Sequence, residues 1–298
     1  MAELSLGEKT KVETMDITRA IWSRRIAHIG WLILVGIVLL MSAASLMPLY
    51  WMITGSFKIG HNTIAYPPEL IPLEPTLANW KKLLGQMMTL RWLLNSFIVA
   101  SGVALVGTIT STLAGYAFGK KQFPGKTALF WALLLTMMLP KQVALIPLFI
   151  MMRDLQWFDT YQAMIVPYIA YPFGIFLIKQ FMQSIPNDLI DASKIDGASE
   201  WQLFWKIILP LAKPAVGALA IFGFMFGWGD YIWQLIVVNK DHMTTLPIGI
   251  SKLIAGWGSV DIGLGMAGAT LAFIPMLIIF ILFQDYFVKG ITVGAVKG

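Results

Sequence analysis

The chain has no cysteine among its 298 residues, which excludes disulfides, iron–sulfur clusters and cysteine-ligated zinc. Charge is scarce as well: Asp, Glu, Lys and Arg make up 13% of the residues, against about 25% in a soluble domain. That composition excludes a cytosolic enzyme. Histidine is nearly missing, and His28, His61 and His242 are scattered without metal-ligand spacing. Neither Gly-x-Ser-x-Gly nor His-Glu-x-x-His occurs, so an intramembrane enzyme would lack its catalytic constellation. Acidic residues inside apolar stretches are confined to Asp230 and Asp285. A stand-alone secondary transporter or channel usually places several there for ion coupling, which makes it the weaker rival reading.

What is present is apolar surface. Hydrophobic residues reach 57%, with a mean hydropathy of +0.72. The runs are unbroken, unlike the short alternating segments of a membrane β-barrel, so the class expected is an all-α membrane protein. A polar segment, 1–25, precedes a first helix at 26–57, and a proline-rich extracytoplasmic loop follows at 58–91. The core, 92–288, reads as spans at about 92–118, 128–152, 162–182, 214–238 and 263–288, with a tail at 289–298. That makes six transmembrane helices. With the N-terminus inside, 14 of the 22 basic residues fall on the cytoplasmic side, the bias that sets both termini of a multi-pass protein in the cytoplasm. The net charge of +6 is thus assigned to anionic lipid headgroups and not to nucleic acid.

One inter-span segment differs from the others. Residues 185–210 carry the punctuation of two short helices joined by a turn: Asn187 after Pro186 as an N-cap, Gly197 as a left-handed terminator, and Ser199 with Gln202 as a capping box. Pro210 marks an end or bend before span five. Trp201, Phe204, Trp205 and Ile208 stand at helical spacing as one apolar face. The segment is either an amphipathic helix on the membrane surface or a docking element for a cytoplasmic partner.

Asp191-Ala-Ser-Lys-Ile-Asp-Gly197-Ala, with Pro210 thirteen residues after Gly197, resembles the EAA motif of permease subunits in bacterial ABC importers. More narrowly, the chain resembles MalG-like permeases of carbohydrate uptake systems. Asn95-Ser96, Ala114-Gly-Tyr-Ala-Phe118, Met138-Leu-Pro-Lys-Gln-Val-Ala-Leu-Ile-Pro147, Trp228-Gly-Asp-Tyr231 and the tail Gly290–Gly298 carry the likeness. The chain departs from the pattern at Asp191-Ala192-Ser193, where the family has Glu-Ala-Ala, and at Trp228-Gly229-Asp230, where it has Trp-Asn-Asp. The resemblance implies a type I ABC importer permease fold with a cytoplasmic coupling hairpin. It also implies a second homologous permease, two ATP-binding subunits and an extracytoplasmic solute-binding protein. Coupling to the ATPase would fall to Asp191, Ala192, Ser193, Asp196, Gly197, Ala198, Phe204 and Pro210. ATP and Mg would reside on the partner subunits, with no cofactor on this chain. Gly125-Lys126-Thr127 resembles the end of a phosphate-binding loop, but Pro124 interrupts it and the upstream Gly119 is misplaced; it is read as a loop meeting headgroups.

Candidate path residues are Lys141, Gln142, Tyr168, Tyr171, Trp228, Asp230 and Asn95. Lys141 lies 13 residues into span three, ~20 Å along it at about 1.5 Å per residue. It either pairs with Asp230, reaches an interfacial headgroup, or lines the path and favours an anionic substrate such as an acidic oligosaccharide or a sugar or polyol phosphate. By resemblance, the loop 239–262, with Gly249, Gly256, Trp257 and Gly258, is the segment that reaches toward the binding protein. Gly115 with Gly119, and Gly223 with Gly227, have the spacing of close helix packing, within the chain or against the partner permease. Within the ABC class, a permease for a non-carbohydrate solute is the alternative.

Overall fold

A computed structural model describes residues 6–59, 66–85, 88–255 and 261–292, and the side chains of 28–59, 66–85, 88–254 and 261–285 among them. The chain divides into two units, 1–54 and 55–298. The first is almost wholly one helix, α1 (Leu6–Gly55), of which His28–Gly55 is long and apolar enough to cross a membrane. The polar segment expected before residue 26 is therefore helical from Leu6. Residues 8–29 contain neither glycine nor proline to stop the helix.

In the second unit the helices are α2 (Ala78–Leu84), α3 (Thr89–Lys120), α4 (Lys126–Met138), α5 (Leu145–Asp154), α6 (Tyr161–Ile165) and α7 (Pro172–Ser184). They continue as α8 (Asn187–Ile195), α9 (Glu200–Leu203), α10 (Leu209–Gly229), α11 (Ile232–Val237), α12 (Leu246–Ala255) and α13 (Ile262–Thr292). No strand occurs among the described residues. With α1, the segments Thr89–Lys120, Glu200–Gly229 and Ile262–Asp285 are each long and apolar enough to span. Two further helix pairs are apolar enough to span if each bent pair is counted as one crossing. The helices α4 and α5, with a 3-10 turn at Lys141–Ala144 between them, bend by 100°, and α6 and α7 bend by 41°.

The runs expected as single helices at 128–152 and 162–182 are thus each a bent pair of helices. Each break sits at a proline. Leu139, before Pro140, is extended at φ −82°, ψ 129°, and Tyr171, before Pro172, at φ −103°, ψ 92°, because the proline ring clashes with a preceding residue in helical conformation. Span five also differs. Its helix starts at Glu200 and passes through Pro210 without ending there. A π-turn at Phe204–Ile208, in which the Leu209 amide bonds the Phe204 carbonyl, widens the helix ahead of Pro210. That spreads the backbone where a proline ring would otherwise press on the carbonyl four residues back. The span then stops at Gly229, short of the Val238 expected.

Helix α3 is the central post. Its small residues let two helices close in: a Cβ built on Gly115 would meet Ile178 of α7, and one on Gly223 or Gly227 would lie 3.0 Å from Ala104 Cα or Ala100 Cα. Both glycine pairs therefore pack within the chain. Two buried clusters result, one of Tyr116, Ile178, Met182, Leu203, Phe204 and Ile208, the other of Trp92, Ala100, Ala104, Phe224, Trp228 and Leu246.

The segment expected to lie along the outer surface is partly pinned inward. Lys58 is buried and its ammonium donates to the Glu69 carbonyl. Asn79 Nδ2 donates to the carbonyls of Ser56 (3.0 Å) and Lys58 (2.8 Å), which holds α2 against α13 through Leu83, Leu264 and Ala267.

Candidate functional site

Residues 187–208 form two short helices joined by a turn, and local chemistry explains their geometry. Helix α8 begins at Asn187, with Pro186 rather than Asn187 in the capping position. It ends where Gly197 takes φ +81°, and the Gly197 and Ala198 amides bond the carbonyls of Lys194 and Ser193, both at 3.0 Å. Ser199 and Gln202 close a reciprocal capping box that opens α9. Asp191, Ala192, Asp196, Gly197 and Pro210 are exposed, Ala198 is half-buried, and Ser193 is buried with its hydroxyl on the Leu189 carbonyl at 2.5 Å.

The single apolar face expected of 201–208 is split. Phe204 and Ile208 are buried with Leu203, while Trp201 is 67% and Trp205 47% exposed. The π-turn rotates successive side chains by less than a regular helix would, so the four do not stay on one side.

The end of α3 holds this segment. Lys120 Nζ donates to the Ile185 carbonyl (2.5 Å) and Asn187 Oδ1 (2.8 Å). Lys121 pairs with Glu200, which also accepts from the Tyr116 hydroxyl at 3.4 Å. Burial pulls the Lys121 ammonium down, but Glu200 and Tyr116 outweigh it and raise its pKa. Leu113, Tyr116, Lys121, Glu200, Trp201 and Phe204 line an open pocket of about 430 Å³ here. On the far side, Leu189 and Ile195 are 44% and 86% exposed. The place of Lys120 and Lys121 at the end of a helix facing this segment depends on the tertiary packing.

A second constellation forms where the spans break. The Lys141 ammonium lies 3.0 Å from the centroid of the Phe226 ring and 5.9 Å from that of Tyr168. The Tyr168 hydroxyl donates to Asp230 Oδ2, and Asp230 also accepts the Trp233 amide of α11. Tyr168 meets Phe226 edge-on at 5.2 Å, and Tyr171 lies 5.9 Å from the same ring. Lys141, Tyr168, Tyr171 and Asp230 are therefore brought together. The direct pairing of Lys141 with Asp230 is not made: no carboxylate oxygen lies within 4 Å of this ammonium among the described residues, and Asp230 acts on it at longer range. Gln142 is exposed beside it. Phe226, the hub, escaped the sequence reading, although Phe222 and Phe226 stand one helical turn apart just before Asp230.

Three expected site residues are instead structural. Asn95 is fully buried; it donates to the His242 (2.9 Å) and Thr244 (2.8 Å) carbonyls and accepts from the Tyr161 hydroxyl (2.8 Å), so both of its amide protons and one acceptor site of its oxygen are used within the chain. Trp228 is buried on Phe97 and Phe224, with its indole on the Ala272 carbonyl at 3.1 Å. Gly249 is not in a loop: it is buried in α12, where a Cβ would come within 2.2 Å of the Trp92 ring. Gly256, Trp257 and Gly258 lie outside the described residues.

Residues 111–293 match the family described as binding-protein-dependent transport system inner membrane component. The chain is 32% identical over 263 residues to the arabinooligosaccharides transport system permease protein AraQ of Bacillus subtilis, covering 87% of this chain and 93% of that one. The chain belongs to this family of inner-membrane transport components. The sn-glycerol-3-phosphate transport system permease protein UgpE of Agrobacterium fabrum is also similar, at 31% identity over 284 residues, 91% of this chain and 96% of that one. Among solved structures, a bacterial ABC transporter involved in the import of the acidic polysaccharide alginate superposes with a TM-score of 0.74 at 23% identity, over 89% of this chain and 98% of that one. That likeness is one of fold. The family match starts within α3 and runs through the capped helices to α13, so it contains both constellations and leaves out α1.

Proposed function

We propose that this permease forms half of the translocation path of an ATP-driven carbohydrate importer and receives the work of ATP hydrolysis through residues 185–210. Counted with each bent pair as one crossing, the chain has six spans, with both termini and the capped helices on the cytoplasmic side. The observation that carries the reading is the capped pair α8–α9. It is buried on one side against α3, α7 and α10 and turns Leu189, Ile195 and Trp201 outward. Exposed apolar side chains clustered on a well-determined element mark a contact surface, here for an ATP-binding subunit.

A second homologous permease, two ATP-binding subunits carrying ATP and Mg, and an extracytoplasmic solute-binding protein complete the assembly. Alternating access needs two halves around a central path, and one such helix set supplies one. This chain brings no ATPase chemistry of its own: Gly125 takes φ +78° in a turn that leads directly into α4, without the strand that precedes a phosphate-binding loop. Relatives named for arabinooligosaccharides and for sn-glycerol-3-phosphate both handle polyhydroxylated solutes, which supports a carbohydrate substrate.

The test is to purify the chain with its native partners and measure ATP hydrolysis against a saccharide panel. A saccharide that stimulates hydrolysis, with stimulation lost in Gly197→Asp, is the expected result. Hydrolysis that responds to no saccharide, or that is indifferent to the 185–210 segment, would contradict it.

A further inference from the structure

The two broken spans satisfy their freed backbone differently. At the break between α6 and α7, hydroxyls of α3 cover the loosened carbonyls: Thr110 Oγ1 donates to Ile169 O (2.5 Å) and Ser111 Oγ to Tyr171 O (3.4 Å). At the break between α4 and α5, the hydrogen bonds are local turns only, Leu139 N to Thr136 O (3.3 Å) and Val143 N to Pro140 O (3.0 Å). No side chain of another element bonds the 139–144 backbone among the described residues, and Leu139–Ala144 are exposed. Irregular backbone at membrane depth cannot face lipid, because hydrocarbon offers its amides and carbonyls no partner; it must face protein or a water-filled cavity. The break without such cover carries Lys141.

The ammonium is held by aromatic faces and not by a carboxylate. A cation over a ring keeps an attraction of modest size, while its three donors need partners. No carboxylate oxygen lies within 4 Å of it among the described residues, and the partly buried rings of Tyr168, Tyr171 and Phe226 gather beside it. We infer that Lys141, seated on Phe226 at the break of the third span, is an oxyanion subsite that selects carboxylated or phosphorylated saccharides. This rests on the carrier function proposed above. Tyr168, held by Asp230, keeps Phe226 edge-on and acts as a positioning residue.

The experiment uses the complex purified with its partners in zwitterionic nanodiscs, and probes paired by the presence of an oxyanion: galacturonate against galactose, and glycerol 3-phosphate against glycerol. The subsite predicts that the wild type binds the charged member of each pair on the order of tenfold more tightly, the scale of one charge-assisted contact. Lys141→Gln should erase the preference, bringing the charged and neutral members of each pair to one affinity, while Lys141→Arg should keep it. Equal loss for charged and neutral probes, or a preference that survives Lys141→Gln, overturns the inference. Repeating the titration with anionic lipid separates the other source of oxyanion: wild-type complex that retains that lipid through Lys141 and shows no sugar preference would make a headgroup the ligand and also overturn it. Saccharide-stimulated ATP hydrolysis is read in parallel, so intact stimulation with a charge-blind site sinks the subsite alone, and absent stimulation sinks the carrier reading.

Discussion

Individual residues show how little slack the membrane core has. Gly249 has the Trp92 ring where its Cβ would stand, at 2.2 Å, and Trp92 is tied by its indole to the Asp241 carbonyl at 3.2 Å. Gly249→Ala must therefore displace an anchored ring. We expect it to cost about 1–3 kcal/mol, as overpacking does, and to lower the melting temperature of the purified chain, whereas Gly36→Ala, with nothing within 4 Å, leaves it unchanged. At Asp261 the issue is charge. Its carboxylate pairs with Lys82 at 2.8 Å and accepts the Leu264 amide at 3.0 Å, tying the start of α13. Partial burial pushes this carboxyl up, but Lys82 and the Leu264 amide outweigh it and hold it below the ordinary carboxylate value. A group depressed in the folded state stabilises fully above its unfolded pKa and loses that contribution as pH falls through its folded pKa. The melting-temperature advantage of wild type over Asp261→Asn should thus shrink on acidification from about pH 5 toward 3. A gap that stays constant would show that the pair contributes nothing.

The elements divide by how local their causes are. The turn at Gly197 and the Ser199–Gln202 box were legible because each is settled within four residues. Gly197 has φ +81° and no atom near its missing Cβ, so a substitution there costs backbone strain alone, roughly 1–2 kcal/mol for an ordinary residue and less for asparagine. Saccharide-stimulated ATP hydrolysis should consequently fall further in Gly197→Val than in Gly197→Asn; equal losses would mean that the left-handed turn is not what matters. Ser199→Ala removes the N-cap at a cost of about 1 kcal/mol, which hydrogen exchange should register as faster amides across α9. The broken spans were not legible in this way. Hydropathy carries no direction, so the apolar run across residues 128–152 reads the same whether it continues straight or turns by 100°. Pro140 and Pro172 were the available signals, yet Pro210 and Pro214 do not end their helix. A π-turn, not visible as a pattern of residue types, precedes Pro210. The partners of Asn95 and Trp228 are not legible for a related reason: a polar or aromatic residue in a span can serve a ligand or clamp a distant loop, and only the fold brings residues 242–244 to Asn95.

At the scale of the whole molecule, the chain separates an inward task from an outward one. Aromatic rings, Lys141 and Asp230 gather where spans break, and a rigid capped pair of helices stands where α3, α7 and α10 end. Helix α3 contributes to both: its hydroxyls cover the backbone at one break, and Lys120, Lys121 and Tyr116 brace the capped pair. A movement imposed on α8–α9 has a packed route toward the breaks through Tyr116, Ile178 and Phe204. The central claim is that an ATP-binding subunit seats on the outward face of α8–α9. Because the chain has no cysteine, Ile195→Cys, at a position 86% exposed, introduces its sole thiol. Oxidative or bifunctional cross-linking of the complex purified with its partners tests the claim most directly. A covalent product between this chain and an ATP-binding subunit, with the thiol shielded from maleimide in the assembly, is the predicted result. A thiol that maleimide labels as fully in the assembled complex as in the isolated chain, with no such product, would contradict it.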